Sequence, residues 1–314
     1  VINCLSVLVV GVPRMRQAFI NILIQLAEQD KDVWLLTADM GFGVVEQFAT
    51  KFSKQYANVG VAEQNMIGVA TGLALEGKKV FCYSIANFPT LRCLEQIRND
   101  VCYHNLPICI VSGGAGLWYG SLGMTHWALE DIAMMRTLPN MAVVSPYSAD
   151  KMVREVRDVY RTGSPCYLRM SRASNNPLAE EQDSLHGTAK GKVILLAVGG
   201  RMVEIAMEAS RILTSNKIAA DVVAMTRIKP LNSDILGQVA KITNAFITIE
   251  EHSRIGGLGS AVAEVLVGLR HHPPLVRMGT RDEYPTTAMS YEELLKYHHL
   301  TVDDIVKEAM DVIK

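Results

Sequence analysis

The six cysteines (4, 82, 93, 102, 109 and 166) contain no C-x-x-C pair, and none has the spacing to a histidine that a zinc site needs. Most sit in apolar runs, as small buried hydrophobes do, which points to a reducing, cytoplasmic compartment rather than a disulfide framework. The net charge of −1 gives no electrostatic case for nucleic acid or an anionic membrane as partner. Val1–Val12 is apolar, but it is too short to span a bilayer and lacks the basic start of a signal peptide. A leader remnant and a strand that docks on a partner are both open readings of it. Gly256-Gly-Leu-Gly before a helix suggests a phosphate loop, but it has neither the dinucleotide spacing nor the P-loop lysine, and it reads as structural.

What is present is an ordinary globular composition, with 49% hydrophobic and 20% charged residues in 314, enough for two domains with real cores. Arg14–Gln29 has apolar residues at helical spacing, and Val33–Ala38 is a short buried strand with Asp39–Gly43 as its exit loop. Strands are expected at Val80–Ser84, Ile108–Ser112, Met141–Ser145 and Cys166–Met170. Helices are expected at Val45–Phe52, Leu91–Tyr103, Leu129–Arg136 and Ala149–Arg161. This alternation argues for a parallel sheet covered on both faces, an α/β fold. Ala173–Gly191 is polar and marks a linker, so the expected division is 1–12, 13–172, 173–191 and 192–314. The last part repeats the alternation, starting with a strand at Val193–Val198 and ending with helices near Tyr291–Tyr297 and Val302–Ile313, the latter capped by Thr301 or Asp303.

One stretch organises the first part. In Asn58–Gly77, Val59 and Val61 read as the end of a buried strand, and Glu63 opens a helix carrying Met66, Ile67, Val69, Ala70, Leu73 and Ala74, with Gly77 as its cap. Gly68 and Gly72 share a face open to close approach. Glu63 stands where a strand hands over to a helix, a usual place for sites in α/β sheets, and apolar surroundings there let a carboxyl group hold or pass a proton. The bland alternative is a glutamate favoured by the helix dipole.

V-G-V-A-E-Q-N-M around Glu63 resembles the glutamate motif of the transketolase superfamily of thiamine-diphosphate enzymes. The resemblance continues through Thr37–Asp39, Glu95–Arg98, Gly123–His126, Leu138–Met141, Ser171–Arg172 and Glu250–Ser260, from about Val12 to the C-terminus. It implies two doubly wound domains, a pyrimidine-binding domain followed by a transketolase C-terminal domain. It also implies that Glu63 exchanges a proton with the cofactor's aminopyrimidine, with Phe88 and Ile85 packing on that ring, Arg92 nearby and Asp39 at the cofactor's subunit interface. His126 would sit over the reacting carbon, and Arg172 would bind substrate phosphate. Each has a plainer alternative: Phe88 as core, Asp39 as a turn cap, His126 as a solvated loop histidine, and Arg92 paired with Glu95 or Asp100. The chain departs from the family pattern at Leu122, where the family has an acceptor-reading aspartate, at Gly114, where yeast-type enzymes have a phosphate-contacting histidine, and at Gly43, where they have a serine. These departures put the usual sugar-phosphate acceptors in doubt, and Trp118 and Tyr119 would either narrow the entrance or stack on a sugar ring.

The family's diphosphate- and Mg²⁺-binding G-D-G motif has no counterpart in the sequence, and no metal-ligand set is evident. The resemblance therefore implies the C-terminal section of a split transketolase, in an α2β2 heterotetramer with an N-terminal-type subunit that holds the diphosphate and Mg²⁺. Its reaction would move a two-carbon ketol unit from a ketose to an aldehyde, both small sugars or sugar phosphates. The rivals are a 2-oxo acid dehydrogenase beta chain or related acyl-transferring enzyme, and a non-catalytic interface subunit.

Overall fold

The computed structural model describes residues 13–85, 87–171 and 192–314. The 1–12 segment, Arg172 and the expected 173–191 linker lie outside the described residues. The first half runs α1 (Pro13–Gln29), β1 (Val33–Thr37), α2 (Glu46–Lys51), β2 (Tyr56–Asn58), α3 (Glu63–Leu75), β3 (Lys79–Ile85), α4 (Phe88–Leu91), α5 (Leu94–Gln96), β4 (Ile108–Gly113), α6 (Asp131–Thr137), β5 (Ala142–Val144), α7 (Ala149–Thr162) and β6 (Cys166–Met170). The second half runs β7 (Val193–Val198), α8 (Gly200–Ser215), β8 (Ala220–Ala224), β9 (Arg227–Lys229), α9 (Ser233–Ala240), β10 (Ala245–Ser253), α10 (Leu258–Val267), β11 (Leu275–Thr280), α11 (Tyr291–Tyr297) and α12 (Val302–Val312).

Successive strand residues point to opposite faces, so each sheet feeds two cores. In the first sheet Leu35, Phe81 and Val111 pack with Phe19 and Leu23 of α1 on one face. Leu36, Cys82 and Ile110 pack with Met66, Ile67 and Ala70 of α3 on the other. That second core continues into the second half, taking in Ile194, Leu196 and Val198 of β7 and Val262 of α10. The outer face of β7, through Val193, Leu195 and Ala197, packs on α8 and α12. Burying each Leu- or Phe-sized side chain contributes about 2 kcal/mol, so the layer shared by the two halves is a main source of cohesion.

The first sheet has the order β2-β1-β3-β4-β6-β5-β9 and the second β11-β10-β7-β8. All pairings are parallel except β5 with β9, which brings a strand of the second half antiparallel onto the edge of the first sheet. Lys229 of β9 donates to the carbonyls of Arg136, at 2.9 Å, and Leu138. Arg227 holds Glu155 and Asp158 of α7, each at 2.7 Å.

Two local expectations change. Val59 and Val61 do not end a strand: β2 stops at Asn58 and Val61 is 72% exposed, because Asn58 caps the turn by accepting from the Gly60 amide. The helix expected at Leu91–Tyr103 is three pieces, α4, α5 and a π-helical segment Ile97–Cys102. The chain leaves helical conformation at Arg92–Cys93, where the Arg92 side chain reaches Glu63, and α5 then runs into the π segment; π segments are frequent near functional groups. At the C-terminus Thr301, not Asp303, caps α12, in a capping box with Asp304. No helix among the described residues is long and apolar enough to cross a membrane.

Candidate active site

Because β1 to β4 are parallel, their C-terminal ends share one edge of the sheet, the edge where open α/β folds place ligands. Glu63 starts α3 there and is 3% exposed. Its Oε2 accepts from Arg92 Nη1 at 3.0 Å, while Oε1 is buried with no hydrogen-bond partner among the described residues. A buried carboxylate oxygen without a donor is costly, so it marks a position built for a partner. Arg92 spreads its guanidinium over the Phe88 ring, 3.8 Å from the centroid. Its salt bridge is to Glu63, not to Glu95 or Asp100.

Phe88 in turn meets the His126 ring edge-on, at 5.4 Å between centroids, and Tyr119 meets His126 from another side at 6.0 Å. Ile85 ends β3, buried, one turn before Phe88. Glu63, Arg92, Phe88, His126 and Tyr119 therefore form one contiguous set, with four of them named from the sequence in site roles. Asp39 lies outside it, at the end of β1, with φ 53°, and exchanges hydrogen bonds with Asn58 at 2.9 and 3.3 Å. Asn58 thus ties Asp39 to the turn that leads into Glu63. Arg172 lies outside the described residues.

Sequence reasoning missed Asn87, whose Nδ2 donates to the Thr125 carbonyl at 2.6 Å and fastens the His126 loop to the end of β3. Thr125 Oγ1 pairs with His126 Nδ1 at 3.0 Å. Nothing in the local pattern signals either contact. Burial, and then the Arg92 charge, lower the His126 pKa below the ordinary imidazole value, so the ring is neutral at neutral pH. Arg92→Ala removes the second cause. The His126 titration is then expected to move to higher pH, carrying with it the acid limb of any activity that uses the neutral ring. NMR titration of His126 checks this, and an unchanged or lower midpoint would refute it. Beside Glu63, the Cys93 thiol is pushed up to about 12 by burial and by the Glu63 charge, which makes it inert.

The glycine-rich run is occupied from within the chain. The Leu258 and Gly259 amides at the start of α10 donate to Glu250, at 2.7 and 2.8 Å, which removes them as phosphate donors. Burial raises the Glu250 pKa to about 7, with those amides opposing. The neighbouring Glu251 accepts from the Leu117 amide at 3.0 Å and from Tyr291 Oη at 2.7 Å. It thereby pins the start of the loop that carries His126 to the second half of the chain. Glu251→Ala is expected to cost about 3 kcal/mol, from two hydrogen bonds to a buried charge, and to speed hydrogen exchange at the Leu117 amide. A thermal melt and an exchange rate equal to wild type would refute this. Among the described residues, no group of three or more His, Cys, Asp or Glu is placed to hold a metal ion.

Two family models match in sequence order: Transketolase, pyrimidine binding domain, over residues 12–177, and Transketolase, C-terminal domain, over residues 186–305. The chain belongs to the transketolase family. It is 37% identical to a putative transketolase C-terminal section from Methanocaldococcus jannaschii, an alignment covering 96% of both chains. It is 36% identical to one subunit of the apulose-4-phosphate transketolase of Phocaeicola vulgatus, over 95% of this chain and 97% of that protein. Among solved structures it superposes on a split-gene transketolase, an inactive beta4 tetramer, with TM-score 0.81 and 33% identity, covering 95% and 97% of the two chains. The chain is thus a transketolase-type subunit, one of the chains of a ketol-transferring enzyme, with the pyrimidine-binding and C-terminal domains in sequence. Transketolase membership implies thiamine diphosphate as cofactor. The residues present fit its pyrimidine: a buried acceptor, Glu63 Oε1, with no partner of its own, and an apolar surface from Ile85 and Phe88 at the same strand end.

Proposed function

We propose that this chain is the pyrimidine-side half of a thiamine-diphosphate transketolase that moves a two-carbon ketol unit from a ketose to an aldehyde and is active only with a partner subunit. The observation that carries this reading is Glu63 Oε1, buried at the strand-to-helix junction with no hydrogen-bond partner among the described residues. When bound, the cofactor supplies the electron sink for carbon–carbon cleavage. Glu63 holds and exchanges a proton at Oε1, while Arg92 fixes the other oxygen. Phe88 and Ile85 give a flat apolar support that excludes water. Neutral His126 takes and returns a proton near the substrate, its Nδ1 side engaged by Thr125. Arg172 binds the substrate's phosphate where there is one, and Asp39 faces the cofactor's subunit interface.

The diphosphate and Mg²⁺ belong to the partner in this proposal, in an α2β2 heterotetramer. Support comes from relatives named as a C-terminal section and as one subunit of a transketolase, each matched over nearly its full length. The test is a pull-down from the native extract, followed by assay of the recovered complex with a ketose donor and with pyruvate. A partner carrying G-D-G and ketol transfer from the ketose are the expected results. Turnover of pyruvate alone would overturn the donor assignment.

A further inference from the structure

The turn between β4 and His126 has a feature that cofactor chemistry does not require. Gly114 has φ +80°, and a Cβ there would stand 2.3 Å from the Tyr119 ring. The ring lies against the backbone at the end of β4, in the space that any side chain at 114 would take. Its hydroxyl lies 3.5 Å from the Gly113 carbonyl, and Arg16 acts on the same phenol while lying 5.9 Å from the Trp118 ring. Another edge of Tyr119 faces His126 at 6.0 Å.

The seat is rigid. Trp127 Nε1 donates to the Gly120 carbonyl at 2.9 Å, the Leu117 amide donates to Glu251, and a Cβ at Gly120 would come within 2.9 Å of the Tyr291 amide nitrogen. On the open side of the same turn, Leu122 and Met124 are exposed, at 52% and 47%. A molecule approaching His126 meets the Tyr119 and Phe88 rings beside it, apolar surfaces that give little polar recompense for buried hydroxyls.

We propose that Tyr119 selects the acceptor, its ring limiting the room beside His126 so that short aldehydes of two or three carbons react in preference to longer aldoses. This rests on the ketol-transfer reading of the site. A rigid apolar wall discriminates by size at about tenfold to a hundredfold per excess group. Here the wall is the ring; the hydroxyl is dispensable.

The test uses the assembled two-chain enzyme and two acceptor pairs matched in charge: glycolaldehyde against D-erythrose, and glyceraldehyde 3-phosphate against erythrose 4-phosphate. The quantity read is the short-to-long ratio of kcat/KM in each pair. Tyr119→Ala is expected to lower both ratios about tenfold, mainly through KM for the longer acceptor. Tyr119→Phe is expected to keep them, and Tyr119→Leu, which retains apolar packing, to give an intermediate value and a second route if the alanine variant does not fold. Ratios within twofold of wild type in the Ala and Leu variants would overturn the proposal, as would an equal loss in the Phe variant. If the wild-type complex transfers no ketol unit to any of the four, the underlying reading falls and this one with it. Ketol transfer with unmoved ratios removes only the role of Tyr119.

Discussion

Glu63→Gln in the assembled enzyme is expected to lower kcat about 10³-fold, the middle of the range for loss of a positioned proton-transfer group. The substitution keeps the side chain's shape and an oxygen to accept from Arg92, so packing around α3 is preserved. It removes the capacity to hold and release a proton at Oε1, the atom with no hydrogen-bond partner among the described residues. Arg92 is half-exposed, so its lost ion pair is largely made good by water and the melting temperature is expected to change little. The measurement is steady-state ketol transfer beside a thermal melt of the same preparation. A variant that melts like wild type and turns over within tenfold of it would sink the assignment of Glu63 and revive a non-catalytic role for this chain.

The largest effect on stability is expected at Asp131. Asp131 is 1% exposed and accepts from Arg169 Nε at 2.7 Å and from Tyr167 Oη at 2.5 Å. Arg169, fully buried, also donates to the carbonyls of Ala128 at 3.2 Å and Glu251 at 2.9 Å, which links the two halves of the chain. The Asp131 charge helps to raise the Arg169 pKa against the opposing effect of burial, so the guanidinium stays charged inside the protein. Asp131→Ala leaves that charge and the Tyr167 hydroxyl without their acceptor. The expected cost is about 3–5 kcal/mol, the usual penalty for breaking a buried pair from one side. This corresponds to a drop in melting temperature of roughly 10 °C for domains of this size. Replacing both partners, as in Asp131→Leu with Arg169→Met, is expected to cost less than the single change, because no uncompensated charge remains. A single variant within about 1 kcal/mol of wild type, or a double variant worse than the single, would show that the pair is not what couples the halves.

The expectations that failed share a cause. Val59 and Val61 have strand composition, yet a polar contact at Asn58 ends β2 before them. The Leu91–Tyr103 stretch has helical periodicity, yet it is interrupted at Arg92, which reaches Glu63. In both cases a side-chain polar contact overrode a correct local preference, within the turn at Asn58 and across 29 positions at Arg92. Arg92 illustrates this from the other side: Glu95 and Asp100 are its nearest acids in sequence, and its partner is Glu63, 29 positions away.

Local order alone was enough to determine the alternation of strands and helices, the parallel sheets, the start of α3 at Glu63 and the family motifs. Each depends on periodicity or on residues a few positions apart, and such patterns are written directly along the chain. Three things were decided only by tertiary packing: the attachment of β9 to the first sheet, the seating of Tyr119 in the space beside Gly114, and the hold of Glu251 on a loop amide 134 positions away. Their energies come from burial and from satisfying polar groups that meet only once the two cores have closed. A buried donor must find an acceptor wherever the fold places one, and linear spacing carries no record of where that will be.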